Sequence, residues 1–392
     1  MGSNGAAPVA IVGVGETRYT KWGGITDKSQ FELACEAILN ALADAGLSPK
    51  DVDGFASYSN DANEANLMQV ALGIPLMRYT GMVWGGGGGG SCGAVSLGVS
   101  AIRSGQARTV VAYRGLAQGQ TRRFGKANAA RVHNNFTMPF GLLAPPQMLA
   151  LIVQRHMHLY GTTSEHLAEV AISTRLNANR NPRAVMHDRL LTIEDYFASR
   201  MISDPLRLYD CCLESDGACA VVLTSGDHAR DLRKQPVTVL AAGQGSGPGW
   251  GSGPLGSHNM PNEDYATTNS VALAKELFEH AGVTPADIDV AQIYDHFSGM
   301  VIIALEDYGF CPRGSGGDFV ADGNIRWEGG SLPINTAGGN HSEAYIHGFN
   351  HIAEGVRQLR GESTSQVADA KLCLVTGGLG VAPTTGLILG KA

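Results

Sequence analysis

The stretch Ala45–Gly54, AGLSPKDVDG, returns 236 residues later as Ala281–Val290, AGVTPADIDV. Each copy follows a segment with apolar residues three and four apart, Phe31–Gly46 and Val271–Gly282, which predicts an amphipathic helix stopped by glycine. Two helix ends do not acquire the pattern Ala-Gly-aliphatic-Ser/Thr-Pro-x-Asp-aliphatic-Asp independently, so the chain reads as two related halves. The echo extends outward. A glycine-rich turn and helix at Gly85–Gly105 is matched by Ala337–Leu359, and a strand at Arg108–Gly115 by Lys371–Gly378. Alternating strands and helices in each half predict an α/β fold with largely buried sheets.

Val9–Val14 (VAIVGV) opens the first half as a buried strand. Strands at Ala218–Ser225 and Val237–Ala242 flank the charged connection Gly226–Gln235, which divides the chain into residues 1–235 and 236–392. The segment at about 116–200 matches neither repeat. It reads as a loop and helix insertion in the first half, expected to lie over a site formed where the halves meet.

With 392 residues, 44% of them hydrophobic, the chain can bury a large core. A net charge of −7 without like-charge blocks leaves no footprint for nucleic acid. The longest apolar runs, such as MLALIV at Met148–Val153, are too short for a membrane span. No secretory signal is expected, because the first residues lack a basic start and an apolar stretch. Seven cysteines in no CxxC or CxxH spacing suggest neither a disulfide framework nor a metal site, and the expected compartment is a reducing cytoplasm. His156 and His158 stand two apart on a helix, share no face, and read as surface residues.

Long ordered segments carry a resemblance: VAIVGVGETRY from Val9, GTTSEHLAEVA from Gly161, DPLRLYDCCLESDGACAVVLTS from Asp204, DIDVAQIYDHFSGMVIIALEDYGFCPRG from Asp287, NTAGGN from Asn335 and TGGLG from Thr376. With them the chain resembles the thiolase superfamily, in its lipid-transfer-protein-type branch, over nearly its whole length. The resemblance implies a thiolase fold, two related α/β halves in αβαβα layers. It also implies stations for chemistry: an acylated cysteine entering a buried helix, a Gly-His-Pro histidine, a His-Asp-Cys-Phe segment and a second cysteine in a CxGGGxG turn. Fold alone does not fix function, so the occupants decide.

Every station has changed. Aligning the helix end AIRSGQ puts the nucleophile's place on Gly89, and Cys92 falls one turn inside the helix. Gly89 and Gly90 leave volume and bare N–H groups that can face a ligand, against the plainer reading of a loop with no role. Counting from NTAGGN, Tyr345 stands at the histidine's place. Leu374 takes the second cysteine's place, with Cys373 beside it on the opposite strand face. The segment Tyr294-Asp295-His296-Phe297 puts Tyr for His and His for Cys, at a strand's C-terminal end, where α/β proteins place their chemistry.

Those changes suit a retro-aldol reaction. A thiolase needs sulfur to attack a β-ketone, but a β-hydroxyacyl-CoA breaks the same bond once its hydroxyl loses a proton, leaving the same thioester enolate. A base, an acid and donors for the thioester oxygen remain necessary. The reading assigns Tyr294 as base on the β-hydroxyl and Tyr345 as acid to the enolate, the roles exchangeable. His296 tunes Tyr294 or serves as oxyanion donor, Asp295 is a structural acceptor, and Asn340 and His341 are polar liners. Taken singly, each tyrosine would read as a packing residue.

The pattern is most similar to the steroid side-chain-cleaving aldolases of bacterial sterol degradation. That likeness implies a 17-hydroxy steroid with a three-carbon acyl-CoA side chain, cleaved to a 17-ketosteroid and propionyl-CoA. It implies a homodimer carrying an OB-fold acyl-CoA-binding partner in a heterotetramer. It implies no metal and no cofactor, CoA being part of the substrate. No basic cluster for CoA phosphates is evident, which is compatible with a partner sharing that task. Two other readings stay open: an acyl-CoA acyltransferase using Cys92, and a non-catalytic acyl-CoA or lipid carrier.

Overall fold

A computed structural model of the chain describes residues 8–58, 61–84, 87–120, 137–247 and 265–392. In chain order the main strands are β1 (Val9–Glu16), β2 (Gly54–Tyr58), β3 (Tyr79–Val83), β4 (Thr109–Ala117), β5 (Ser215–Ser225), β6 (Val237–Gly245), β7 (Val290–Gln292), β8 (Leu372–Gly377) and β9 (Thr384–Lys391). Hydrogen bonding orders them β7-β8-β9-β6-β1-β5-β4-β2-β3. The two parts follow one plan. In each, a short strand pairs in parallel with the next (β2 with β4, β7 with β8), and antiparallel pairings continue to β1 or β6. The parts join edge to edge where Ala10 and Ile11 of β1 meet Thr238 and Val237 of β6.

The repeated motif does the same work twice. Gly46 and Gly282 take positive φ, 73° and 69°, and cap the helices before them. Ser48 and Thr284 donate backbone and hydroxyl hydrogens to Asp51 and Asp287. Asp53 then accepts from the Arg108 and Thr109 amides, and Asp289 from those of Lys371 and Leu372. Each half thus ties its helix end to the start of its central strand.

The helices that matter are α1 (Gln30–Ala45), α2 (Ser91–Arg103), α3 (Pro145–Tyr160), α4 (Ser164–Arg180), α5 (Val271–Ala281), α6 (Ser298–Asp307) and α7 (Phe349–Arg360). Helix α1 begins at a capping box, Ser29 with Glu32, and buries Ala37, Ala41 and Leu42. Side chains at Gly13 and Gly15 would run into the Ala41 backbone, so those glycines set how closely α1 lies on the sheet. Three clusters of buried residues mark the layers. One holds α1 against the first half, one gathers α2, α7 and strands of both halves, and one joins α3–α6 to the second half. Fully burying Val95, Ile352 or Val356 in the middle cluster stabilises the fold by about 1.5–3 kcal/mol each, before the entropy of ordering them.

Of the segment at about 116–200, residues 121–136 lie outside the described residues; the rest holds α3, α4 and a short helix, Ile193–Ala198. The expectation of a surface His156 is corrected here. Its ring lies between Glu306 Oε1 at 3.0 Å and Thr162 Oγ1 at 2.9 Å, and it is fully buried. Spacing along α3 says which residues share its face, but not that α6 brings a carboxylate to meet one.

Candidate active site

Tyr294 stands just past β7, and its placement is set by hydrogen bonds that the short strand could not make alone. Ile293 N–H donates to Asn335 Oδ1 at 2.7 Å, Asn335 Nδ2 returns a bond to the Ile293 carbonyl, and Tyr294 N–H donates to Thr376 Oγ1. Tyr345 is fixed by its amide, which donates to Ser215 Oγ on β5 at 3.0 Å. The two hydroxyls meet at 3.0 Å. Residues from both halves therefore converge on one pair of phenols.

Burial pushes both phenols above the usual tyrosine value. At Tyr345 the bond to Tyr294 and the Arg114 charge act the other way, whereas at Tyr294 the same bond adds to the rise. Arg114 is buried on β4, 4.7 Å over the Tyr58 ring, and is the cation nearest in effect to the pair. Sequence reasoning passed over it, although a charged residue inside the buried strand RTVVAYRG was a legible signal.

Asp295 turns away from the pair. It accepts from the Asn340 amide at 2.8 Å, the His341 amide at 3.2 Å and His351 Nε2 at 2.9 Å. Although burial alone would raise it, the His351 hydrogen bond and the nearby imidazoles hold its carboxyl below the usual range. It orients the turn carrying Asn340 and His341. The Asn340 side-chain carboxamide and the ring nitrogens of His296 and His341 are buried with no hydrogen-bond partner of good geometry. Burial takes the His296 pKa down to about 4, the backbone of Tyr294 and Leu379 offsetting only part of that, and lowers that of His341 too. Both imidazoles are therefore neutral donors or acceptors near pH 7. Such unpaired buried polar groups are rare in folded proteins and point to a ligand.

The two imidazoles border a cavity of about 690 Å³, in the usual size range for small-molecule sites. His296, His341 and Tyr345 line it, with Cys211, Cys212 and Phe297 beside them and Pro145, Ala171, Leu191 and Leu208 giving an apolar wall. Tyr294 lies behind Tyr345.

The glycine run needs a correction. A side chain at Gly89 would meet the Pro383 carbonyl and Gly378, and one at Gly90 would meet Tyr58, so neither faces the phenols. Gly88 does: a Cβ there would overlap Tyr294 Oη and stand 3.2 Å from Tyr345 Oη. The run enters α2 through a 3₁₀ turn, Gly87–Gly90. Successive residues of such a turn point about 120° apart, so a count off by one looks the wrong way. Gly89 still matters to the turn, its carbonyl accepting from Thr385 Oγ1 at 2.6 Å.

Neither sulfur near the old stations faces the phenols. Cys92 is buried in the middle cluster with Sγ 3.7 Å from the Val375 carbonyl, and burial pushes its thiol up to about 12. Leu374 and Cys373 point into different core clusters. Cys92→Ala should therefore keep turnover within about twofold while lowering stability by about 1 kcal/mol, as read by steady-state rates and thermal unfolding.

Comparison with known proteins gives the family. Residues 256–391 match the thiolase C-terminal domain-like family. The chain is 44% identical over 389 residues to the 17-hydroxy-3-oxo-4-pregnene-20-carboxyl-CoA lyase of Mycobacterium tuberculosis, covering 97% of this chain and 98% of that one. This chain belongs to the steroid side-chain-cleaving aldolases of the thiolase superfamily. It is likewise 42% identical over 393 residues to the steroid side-chain-cleaving aldolase of Thermomonospora curvata, covering 97% of each chain. Among solved structures it is similar to one titled Ltp2-ChsH2(DUF35) aldolase, with a TM-score of 0.92 and 40% identity over 99% of both chains. In this aldolase the thiolase fold has been kept, and a hydrogen-bonded phenol pair lies beside the cavity.

Proposed function

We propose that this aldolase cleaves a β-hydroxyacyl-CoA by a retro-aldol reaction: a 17-hydroxy steroid with a three-carbon acyl-CoA side chain gives a 17-ketosteroid and propionyl-CoA. The observation that carries the reading is the Tyr294–Tyr345 pair at 3.0 Å beside an apolar cavity, with Cys92 and Cys373 both turned into the core. The substrate class follows from the relatives' names.

The chemistry needs a proton moved from the 17-hydroxyl to the enolate carbon while the bond between C17 and the acyl α-carbon breaks. Two hydrogen-bonded phenols can do this as a relay. One takes the hydroxyl proton as its own passes to the other, which protonates the carbon, so no free phenolate accumulates. That matters because both phenols are pushed up by burial. Neutral His296 and His341, which line the cavity, supply donors for the thioester oxygen as it gains charge. The reaction is redox-neutral and requires no cofactor, CoA leaving with the product.

A homodimer is supported by the edge strand β3, which leads to Trp84, 93% exposed. Likeness to the solved Ltp2-ChsH2(DUF35) aldolase supports a second, acyl-CoA-binding OB-fold subunit, giving a heterotetramer. No helix among the described residues is long and apolar enough to cross a membrane, and seven free cysteines suit a reducing cytoplasm. The deciding experiment incubates the full chain, with and without that subunit, with a 17-hydroxy steroid acyl-CoA in deuterated water. Mass spectrometry should find the 17-ketosteroid and singly deuterated propionyl-CoA. A protein-bound thioester during turnover would sink the reading.

A further inference from the structure

Gln118 follows directly on β4, and its backbone is tied down on both sides. The ladder between β4 and β5 ends with Ala117 opposite Asp216. The Gln118 carbonyl then accepts from Trp22 Nε1 at 2.9 Å, and the Gly119 amide donates to Asp216 Oδ1 at 3.1 Å. The side chain, by contrast, is uncommitted. Gln118 is 1% exposed and lines the cavity, yet neither its Oε1 nor its Nε2 has a hydrogen-bond partner. Gln120, on the same turn, spends its own carboxamide on the carbonyls of Ile25 and Lys28. A buried carboxamide with both ends unmet costs free energy unless something in the cavity meets them.

Its place is set by the strands around Ser215. Tyr345 hangs by its amide from Ser215 Oγ, and the next residue, Asp216, faces Ala117. On the other edge of β5, Lys21 pairs with Ser215. Trp22, which holds the Gln118 carbonyl, lines the cavity and is 45% exposed. Gln118 therefore stands between Tyr345 and the cavity's exposed rim. A thioester with its acyl end at the phenols reaches solvent past this residue, by way of its pantetheine arm.

Chemistry narrows the partner. A carboxamide offers an acceptor and two donors without charge, so satisfying both its ends takes neutral groups that donate as well as accept. A ketone on a steroid ring only accepts, and the 17-hydroxyl belongs to the phenols. The amides of the pantetheine arm do both, and the first lies two methylenes from the sulfur. Gln147, in the first turn of α3, adds a second buried carboxamide oxygen without a partner to the cavity lining.

We propose that Gln118 is a substrate-binding residue whose carboxamide hydrogen-bonds an amide of the pantetheine arm. The proposal rests on the acyl-CoA reading above. Its test uses the full chain and two CoA thioesters of the 17-hydroxy steroid acid, one natural and one with oxygen replacing the amide N–H nearest the sulfur. A buried acceptor left unmet predicts a preference of about 10- to 100-fold in kcat/KM for the natural thioester. In Gln118→Met, similar in size and unable to make the bond, the two substrates should turn over within about twofold of each other. A preference that persists in Gln118→Met, or a wild-type chain with none, overturns the proposal.

Calorimetry of S-propyl CoA and its oxygen-for-N–H analogue on the wild-type chain makes the comparison without turnover or a variant. Tenfold or tighter binding of the amide compound supports the proposal. Equal affinity, as water filling the same place would give, overturns it. Wild-type protein that cleaves neither thioester sinks the retro-aldol reading instead, while the calorimetric comparison still decides Gln118.

Discussion

Tyr345→Phe and Tyr294→Phe should each lower kcat by about 10²- to 10⁴-fold, the usual span for losing a positioned proton-transfer group. Each removes one oxygen of the 3.0 Å pair. If the pair acts as a relay, the double variant is scarcely slower than either single one, because a broken chain cannot be broken twice. KM should change little, since the apolar wall is intact. Stability should fall by only about 1 kcal/mol, the cost of leaving the remaining buried hydroxyl unpaired. The pH profile separates this relay from a phenolate base. Raised phenol pKa values keep both tyrosines protonated up to and beyond pH 10, and the lowered His296 value keeps its imidazole neutral above about pH 4. Activity should therefore be flat from about pH 6 to 9. Phenylalanine variants with wild-type kcat would remove the tyrosines from the mechanism, and an alkaline rise in rate near pH 7 to 8 would replace the relay with a free phenolate.

What the sequence revealed follows from where each signal lay. The halves were legible because Gly46, Ser48, Asp51 and Asp53, with their counterparts in the second half, make contacts that are local or reach one neighbouring strand. Asp295 could be read as a structural acceptor because it sits between two residues whose positions mattered. Gly88 could not. Which residue of a glycine run faces a tyrosine two hundred residues away depends on the pitch of a 3₁₀ turn, and no local pattern records it. His156 failed for a related reason: periodicity describes its own helix, while its burial is decided by Glu306 on another. The cavity was legible only in part: the insertion was expected over the site and His341 as a liner, but nothing local brings Lys21, Cys211 and Cys212 to the same wall. Arg114 is different. The charge inside a strand of buried residues was in plain view, and a buried strand charge needs a reason.

Gly88→Ala should abolish turnover, with a loss of about 100-fold or more. Gly88 does not adopt a left-handed φ, so an alanine there meets no conformational penalty and is excluded by volume alone. The added carbon would overlap Tyr294 Oη and lie 2.9 Å from its Cζ, and this is the end of a rigid ring held by packing rather than a flexible chain. The ring must move, and misplacing a reacting group by about 1 Å costs on the order of 10² in rate. Overpacking also lowers stability by about 1–3 kcal/mol. A double-mutant cycle tests the cause. In a Tyr294→Phe background the colliding oxygen is gone, so Gly88→Ala should destabilise less than it does in the wild-type chain, giving a coupling that distant sites do not show. Gly245→Ala, where a Cβ meets nothing within 4 Å, is the control and should leave rate and melting temperature nearly unchanged. A Gly88→Ala protein with normal kcat, or one whose stability loss is the same with and without the Tyr294 hydroxyl, would show that the run's bareness serves something other than room for the phenol pair.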